Sequence, residues 1–236
     1  MNCRSCGSDK LELLLDLGMQ PWCNDFLTEE RIGKENLYPL RLNYCQECEL
    51  LQLDHTVAKE VMFGDHCYLS GMTKTLIDHF YEVAKENVEQ FDMQPTDLVV
   101  DIGGNDGSQL IQYQKAGVDN VLNIECAKRV SDISQKNGVL TVNEYFNREC
   151  AERIIGENTV KLYNASGVFF HLEELHSVID GIKFSLKEDG VLIVQFMYAG
   201  TMIEKLNFDT IYHEHLCYYT LRSLNNLLAP YELKIF

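Results

Sequence analysis

Apolar and polar residues alternate in a regular way between residues 97 and 198 of this chain. Continuous apolar runs, typical of strands buried on both faces, are separated by stretches in which apolar residues recur every three or four positions, as in amphipathic helices. The predicted strands lie in "DLVVDIGG", "VDNVLNIEC", the start of "VKLYNASGVFFHL" and "VLIVQFMY", and the predicted helices are "SQLIQYQKAG", "AKRVSDISQKNG" and "LEELHSVIDGIKFSLKEDG". Strands that alternate with crossover helices are parallel, so the pattern predicts a doubly wound α/β sheet whose ligands bind beyond the carboxyl ends of the strands.

The pattern before residue 97 is different. Short strand candidates, "LELLLDLG" and "YPLRLNYC", lie among turns in the first 60 residues. The stretch "KTLIDHFYEVAKENVEQF" has helical periodicity and ends before the turn signal "DMQPTD". We therefore predict a small domain at residues 1–60 and a larger α/β domain at residues 61–236.

The charge of the chain excludes one class of partner. It carries 36 acidic and 20 basic residues and a formal net charge of −16, so it would repel the phosphates of nucleic acid. No apolar run approaches the roughly 20 residues that cross a bilayer, and the start "MNCRSCGSDK" has no apolar signal core. We expect a cytoplasmic protein that binds neither nucleic acid nor membrane.

Four of the nine cysteines form two C-x-x-C pairs, Cys3/Cys6 and Cys45/Cys48. Two such pairs can place four thiolates around one tetrahedral cation, which predicts a closed structural zinc site with no open position for chemistry. A redox-active or simply reduced dithiol is the alternative, although an oxidoreductase needs only one pair. The remaining cysteines are expected to stay reduced and to behave as small apolar residues: Cys23, Cys67, Cys126, Cys150 and Cys217.

The turn "GGNDG" after the first strand of the larger domain allows a ligand to approach the backbone closely. It lacks the G-x-G-x-x-G spacing that seats a pyrophosphate, which disfavours NAD. An acid at the end of the next strand can accept hydrogen bonds from ribose hydroxyls, and an acidic pocket tolerates a sulfonium, so the pattern favours S-adenosylmethionine over a turn without a ligand. The predicted cofactor-binding residues are Asp101, Gly103, Gly104, Asn105, Asp106, Gly107 and Glu125.

The segment "FDTIYHEHLCYYT" concentrates polar chemistry in an otherwise apolar stretch. Its histidines could transfer protons near neutral pH. If the segment is extended, His213 and His215 share a face and could bind a metal, but no third ligand is evident nearby. Purely structural hydrogen bonding is the remaining alternative.

Several motifs in order resemble the zinc-containing, S-adenosylmethionine-dependent sugar C-methyltransferases, such as the C-3 methyltransferases of deoxysugar biosynthesis. The resemblance covers nearly the whole chain and rests on "CRSCG", "LGMQPWCNDFL", "YPLRLNYCQECELLQL", "CYLSG", "DIGGNDGSQL" and "FDTIYHEHLCYYT". It implies a zinc-binding domain, a Rossmann-like class I methyltransferase domain, and methylation next to the ketone of a keto-deoxysugar linked to a nucleoside diphosphate.

Methylation of such a carbon first requires removal of a weakly acidic proton, so the enzyme needs a base and a group that stabilises the enolate. His215 is our candidate base, which is also the role that the resemblance implies. Glu214 and Tyr212 are expected to orient the substrate or assist proton transfer. Tyr68 matches a tyrosine that lies close to the sugar in the family, and His171 is a further candidate.

The chain departs from the family pattern in several places. Gly104, Gln195 and Gly167 stand where a serine, an acid and an asparagine are usual. The chain stops at "LLAPYELKIF", so we expect a truncated larger domain and no C-terminal domain, unless a separately encoded partner supplies it. The alternative functions are therefore an incomplete or inactive zinc-bearing binding or assembly module, or one part of a split enzyme. A dehydrogenase on the same fold is disfavoured by the missing G-x-G-x-x-G.

Overall fold

A computed structural model of the chain describes residues 1–64 and 68–236. The strands are β1 (Leu11–Pro21), β2 (Leu37–Cys45), β3 (Leu51–Leu53), β4 (Leu98–Ile102), β5 (Val121–Ile124), β6 (Thr141–Val142), β7 (Val160–Ser166), β8 (Leu186–Gln195) and β9 (Cys217–Tyr218). The α-helices are α1 (Lys59–Phe63), α2 (Lys74–Gln90), α3 (Ser108–Lys115), α4 (Lys128–Lys136), α5 (Arg148–Cys150), α6 (Leu175–Ser185), α7 (Ala199–Glu204) and α8 (Leu221–Leu228). The chain folds into two compact units: unit 1 comprises Met1–Met62, Phe169–Leu175 and Phe196–Phe236, and unit 2 comprises Phe63–Val168 and His176–Gln195.

Unit 1 is built on an antiparallel sheet with the strand order β1-β2-β3-β9. Leu42 of β2 lies opposite Leu53 of β3, and Leu51 lies opposite Tyr218 of β9. The apolar core of this unit contains Leu40, Leu42, Leu51, Leu53, Ala199, Met202, Ile211 and Tyr218. Residues near the C-terminus therefore complete the sheet that begins at residue 11.

Unit 2 is built on a parallel five-stranded sheet with the order β6-β5-β4-β7-β8. Crossovers through α3 and α4 extend the sheet from β4 in one direction, and the crossover through α6 extends it from β7 in the other. The strand order therefore reverses between β4 and β7, where ligands of doubly wound sheets bind at the carboxyl ends of the strands. The predicted doubly wound α/β sheet is confirmed.

The longest helix among the described residues, α2, belongs to unit 2 and has 17 residues. Its buried residues Phe80, Ala84 and Asn87 follow helical spacing, in agreement with the prediction for residues 74–91. Ala84 belongs to a core with Met93, Val99, Leu110, Tyr113, Val118, Val121, Val139 and Leu162. No helix in the two described stretches combines the length and apolarity needed to cross a bilayer.

The predicted helix at residues 172–190 is shorter in the structure. Helix α6 ends at Ser185, and β8 begins at Leu186, which pairs with Val160 of β7. Lys161 forms an ion pair with Asp189, and Lys187 forms one with Asp97, at 2.7 and 2.8 Å. Strand pairing and these two ion pairs outweigh the helical propensity of this segment, so the glycine predicted to end the helix lies inside a strand.

The division into units differs in part from the predicted domains. The first segment of unit 1 ends at Met62, close to the predicted boundary after residue 60. Unit 1 also contains Phe169–Leu175 and Phe196–Phe236, which the sequence analysis assigned to the larger domain. Pairing of β9 with β3 places the last of these segments in unit 1.

Candidate functional site

Both C-x-x-C pairs of unit 1 form the same tight turn. The N–H of Gly7 donates to the carbonyl oxygen of Cys3 at 3.0 Å, and the N–H of Glu49 donates to that of Cys45 at 2.9 Å. Gly7 and Glu49 have φ angles of 73° and 63°, a left-handed conformation that non-glycine residues seldom adopt. The two turns therefore present their thiols in equivalent ways.

The four predicted zinc ligands converge. Their Sγ atoms all lie within 4.8 Å of one another, with 3.4 Å between Cys3 and Cys48 and 3.6 Å between Cys6 and Cys45. A tetrahedron with zinc–sulfur bonds of about 2.3 Å has edges of about 3.8 Å, so these spacings fit zinc. The hydrogen bond between Cys3 and Cys48 lowers the pKa of the Cys3 thiol and raises that of the Cys48 thiol. A bound cation would favour the thiolate form of all four cysteines.

The other cysteines take no part in this cluster. Cys150 and Cys217 are buried, and burial raises the pKa of each thiol to about 11, so both behave as small apolar residues as predicted. Cys126 is half-buried. The prediction is wrong for Cys23, which is exposed. Cys67 lies outside the described residues.

In unit 2 the glycines after β4 allow very close packing. Gly103 and Gly107 have φ angles of 64° and 78°, a region that glycine adopts without strain. A Cβ built on Gly104 would lie 2.5 Å from Oδ1 of Asn123 and 2.8 Å from Cγ of Asp101. A side chain at Gly104 would therefore collide with Asn123 and Asp101, and the turn packs tightly against the ends of β4 and β5.

The side chains of Asn105 and Asp106 anchor a neighbouring segment of unit 2. Asn105 Oδ1 accepts a hydrogen bond from the Ser70 N–H at 2.9 Å, and its Nδ2 donates to the Tyr68 carbonyl at 3.1 Å. Asp106 Oδ2 accepts from the Gly71 N–H at 2.8 Å. The turn thus fixes the backbone of residues 68–71, while the Tyr68 side chain is 55% exposed. Direct cofactor contacts from Asn105 and Asp106 stay a prediction.

Glu125 follows β5 and is held by backbone donors. Its Oε2 accepts from the Asn105 N–H at 3.0 Å and its Oε1 from the Ala127 N–H at 2.7 Å, and the residue is buried. These backbone donors fix the Glu125 carboxylate at the carboxyl end of β5, the position at which an acid contacts the ribose of a bound nucleoside in doubly wound folds.

Asp101 lies between two buried asparagines that the sequence analysis did not single out. In the strand register it is opposite Asn123 on β5 and Asn164 on β7. Asn123 Oδ1 and Asn164 Nδ2 are buried and have no hydrogen-bond partner among the described residues. Burial, reinforced by the charge of Glu125, raises the pKa of Asp101 well above its usual range. The asparagines inside the apolar runs "VLNI" and "LYNAS" were the available signal for this polar row.

In unit 1 the predicted base, His215, lies in an aromatic environment. Its ring centroid is 3.9 Å from that of Tyr212 and 4.6 Å from that of Phe170. Nδ1 is 2.8 Å from the Thr210 carbonyl oxygen, so Nδ1 carries the proton and Nε2 has the free lone pair. Burial lowers the pKa of His215 to about 4, which keeps the imidazole neutral at physiological pH.

Of the other candidate catalytic residues, Tyr212, Glu214 and His171 are also in unit 1, whereas Tyr68 belongs to unit 2. His171 Nδ1 donates to the backbone carbonyl of Glu214 at 2.7 Å, and the imidazole rings of His171 and His215 are 5.1 Å apart. Burial and the charge of Glu214 raise the pKa of Tyr212, so its phenol keeps its proton.

The Glu214 side chain is buried and accepts two hydrogen bonds at Oε1. The donors are Nε1 of Trp22 at 2.7 Å and Nδ2 of Asn24 at 2.6 Å. The sequence did not predict either donor as a partner of Glu214, although both lie in "LGMQPWCNDFL", one of the motifs that carry the family resemblance.

The alternative metal site at "YHEH" gains no support. The segment is not extended, because the His215 N–H donates to the Tyr212 carbonyl at 3.0 Å and closes a turn. The His213 ring packs against Tyr38, with 5.8 Å between centroids. Within residues 1–64 and 68–236, the cysteine cluster is the only group of three or more histidine, cysteine or acidic residues whose ligand atoms converge.

Comparisons with known proteins agree with these arrangements. The family described as "Putative zinc binding domain" matches residues 3–63, and the family described as "Methyltransferase domain" matches residues 77–236. The C-methyltransferase NovU of Streptomyces niveus is 30% identical over 235 residues, which are 99% of this chain and 56% of NovU. The chain therefore spans about half the length of this curated relative.

Solved structures with a similar fold include a SAM-dependent methyltransferase from Archaeoglobus fulgidus, with a TM-score of 0.53 and 14% identity over 65% of this chain and 69% of that one. The YcgJ protein of Bacillus subtilis has a TM-score of 0.53 and 12% identity over 66% of this chain and 69% of its own. At this identity the likeness shows the fold alone.

The doubly wound sheet, the glycine turn and the fixed acid at the end of β5 define a Rossmann-like methyltransferase domain. The chain belongs to the methyltransferase family whose model matches residues 77–236, and a zinc-binding domain precedes that match. The methyl donor is S-adenosylmethionine, as the methyltransferase domain implies. Zinc fits the four-cysteine cluster. The predicted combination of a zinc-binding domain with a methyltransferase domain and the two predicted cofactors are confirmed.

Proposed function

We propose that this chain is a C-methyltransferase that acts next to the ketone of a keto-deoxysugar linked to a nucleoside diphosphate. The name of the related C-methyltransferase NovU and the pairing of a zinc-binding domain with a methyltransferase domain support carbon as the acceptor. The observation that carries the proposal is the hydrogen bond between Nδ1 of His215 and the Thr210 carbonyl oxygen. It fixes the tautomer in which Nε2 carries no proton and can accept one.

In the proposed reaction, Nε2 of His215 takes the proton from the carbon beside the ketone, and the electron pair of that C–H bond forms the enolate. A pKa of about 4 makes His215 a weak base in the free protein, but an anionic diphosphate bound nearby would raise the pKa towards the operating pH. We assign to Tyr212, whose phenol stays protonated, a hydrogen bond to the developing enolate oxygen.

S-Adenosylmethionine supplies the electrophilic methyl group that the enolate carbon accepts. We assign to Glu125 the ribose hydroxyls of the donor, and to Tyr68 a contact with the sugar of the acceptor. Glu214 orients the substrate.

Deuterium exchange tests the proposal without requiring methyl transfer. The chain is incubated in heavy water with S-adenosylhomocysteine and a panel of keto-deoxysugar nucleotides, and deuterium at the carbon next to the ketone is measured by NMR. We expect exchange with at least one of these nucleotides, and we expect His215→Asn to slow it by about 100- to 10,000-fold. Equal exchange by the wild-type and His215→Asn chains, or no exchange above buffer with any of them, would contradict the proposal.

A further inference from the structure

Two side chains that are distant in sequence share one oxygen of Glu214. Trp22 Nε1 and Asn24 Nδ2 both donate to Oε1, at 2.7 and 2.6 Å, across separations of 192 and 190 residues. All three residues belong to unit 1. The Glu214 residue is only 3% exposed. A buried carboxylate is costly unless hydrogen bonds compensate its lost hydration, and bonds to a charged acceptor are the strong ones.

The local backbone explains how both donors reach the same atom. The N–H of Asp25 donates to the Trp22 carbonyl at 3.3 Å, and the N–H of Phe26 donates to the Asn24 carbonyl at 3.1 Å. These successive turns bring side chains two positions apart to one side of the segment. Because both donors occupy Oε1, the lone pairs of Oε2 are left for a different donor.

We propose that Trp22 and Asn24 are positioning residues that hold the Glu214 carboxylate so that Oε2 accepts a hydrogen bond from a hydroxyl of the sugar substrate. This inference rests on the proposed function for the role of Glu214, whereas the two hydrogen bonds do not depend on it. Neither donor contacts the reacting atoms in this account; both act through Glu214. A small displacement of an orienting group lowers turnover strongly, by up to about 100-fold for 1 Å.

The chain offers a direct probe because Trp22 is its only tryptophan. In a ¹⁵N-labelled sample of the full 236-residue chain, the single indole N–H resonance reports the bond to Glu214. A charged acceptor shifts such a proton downfield, so Glu214→Gln is expected to move the resonance upfield. Gln20→Ala is the control, since Gln20 is an exposed residue close to Trp22 in sequence whose side chain donates to the Leu17 carbonyl. An indole resonance that is unchanged in Glu214→Gln would overturn the proposal.

Kinetics separate positioning from simple stabilisation. Trp22→Phe keeps the aromatic bulk, and Asn24→Asp keeps the size but replaces the donor by an acceptor. In zinc-loaded, folded variants, we expect kcat for methylation of a keto-deoxysugar nucleotide to fall about 10- to 100-fold, while KM changes by less than about 3-fold. Unchanged kcat in both variants would show that the contacts only stabilise the fold and would refute positioning. A wild-type chain that transfers no methyl group would count against the proposed function. The indole resonance would still show whether Trp22 donates its hydrogen bond to Glu214.

Discussion

Substitution of Glu125 is expected to affect both stability and donor binding, by amounts that follow from its hydrogen bonds. The carboxylate accepts the N–H groups of Asn105 and Ala127 on its two oxygens. Each buried N–H that loses its acceptor costs about 1–3 kcal/mol. Glu125→Gln turns an amide nitrogen towards one of the two donors, so it should lower the free energy of unfolding by about 1–3 kcal/mol. Glu125→Ala removes both acceptors and should lower it by about 2–6 kcal/mol.

Substitution of Glu125 is also expected to weaken the binding of S-adenosylmethionine. A hydrogen bond to a charged acceptor contributes about 1.5–3 kcal/mol, so loss of the ribose acceptor should weaken binding about 10- to 150-fold. Urea unfolding measures the free energy of unfolding, and calorimetric titration of folded protein measures the affinity for S-adenosylmethionine. Glu89→Gln, on the exposed face of α2, is the matched control and should change stability by less than about 0.5 kcal/mol. Glu125→Ala protein with wild-type stability and wild-type donor affinity would refute this reasoning.

Three further predictions concern charge and metal. The pKa of His215 is lowered from 6.5 to about 4 by burial, so its contribution to stability is present above pH 6.5 and is lost as the pH falls to about 4. Between these pH values the free energy of unfolding of His215→Gln, measured with urea, should fall by about 3 kcal/mol less than that of the wild type. The pKa of Asp101 is raised by burial, so its contribution to stability is present in acid and is lost as the pH rises. The free energy of unfolding of Asp101→Asn should therefore rise relative to that of the wild type between acidic and neutral pH. A fall relative to the wild type over this range would contradict the prediction. Cys45→Ser should abolish the single zinc per chain measured by mass spectrometry under native conditions and lower Tm, whereas Cys150→Ser should retain the metal.

Local patterns in the sequence predicted much of the fold. The alternation of apolar runs with helical periodicity identified four of the five described strands of unit 2 and its helices α2, α3, α4 and α6, although α6 ends earlier than predicted. The two-residue strand β6 was not predicted. The C-x-x-C pairs predicted the zinc cluster because two ligands of each pair are already adjacent. Short strands were harder: β3 has three residues and β9 has two, so neither contains enough residues to show a period.

Long-range contacts account for what the sequence did not show. Pairing of β9 with β3 groups the C-terminal segment with the zinc-binding residues, and no local periodicity encodes that partner. The hydrogen bonds of Trp22 and Asn24 to Glu214 span about 190 residues for the same reason. Candidate residues in "YHEH" could be named from their chemistry, but the tautomer and low pKa of His215 depend on Thr210 and on burial.

The most direct test of the account is the destination of the methyl group. The 236-residue chain is incubated with S-adenosylmethionine carrying a ¹³C-labelled methyl group and with the panel of keto-deoxysugar nucleotides, and the products are examined by carbon NMR. We expect the label to become bonded to the carbon next to the ketone of one of these nucleotides, and we expect His215→Asn to abolish this product. Label that appears on an oxygen or nitrogen atom, or that stays on the donor with every nucleotide, would contradict it.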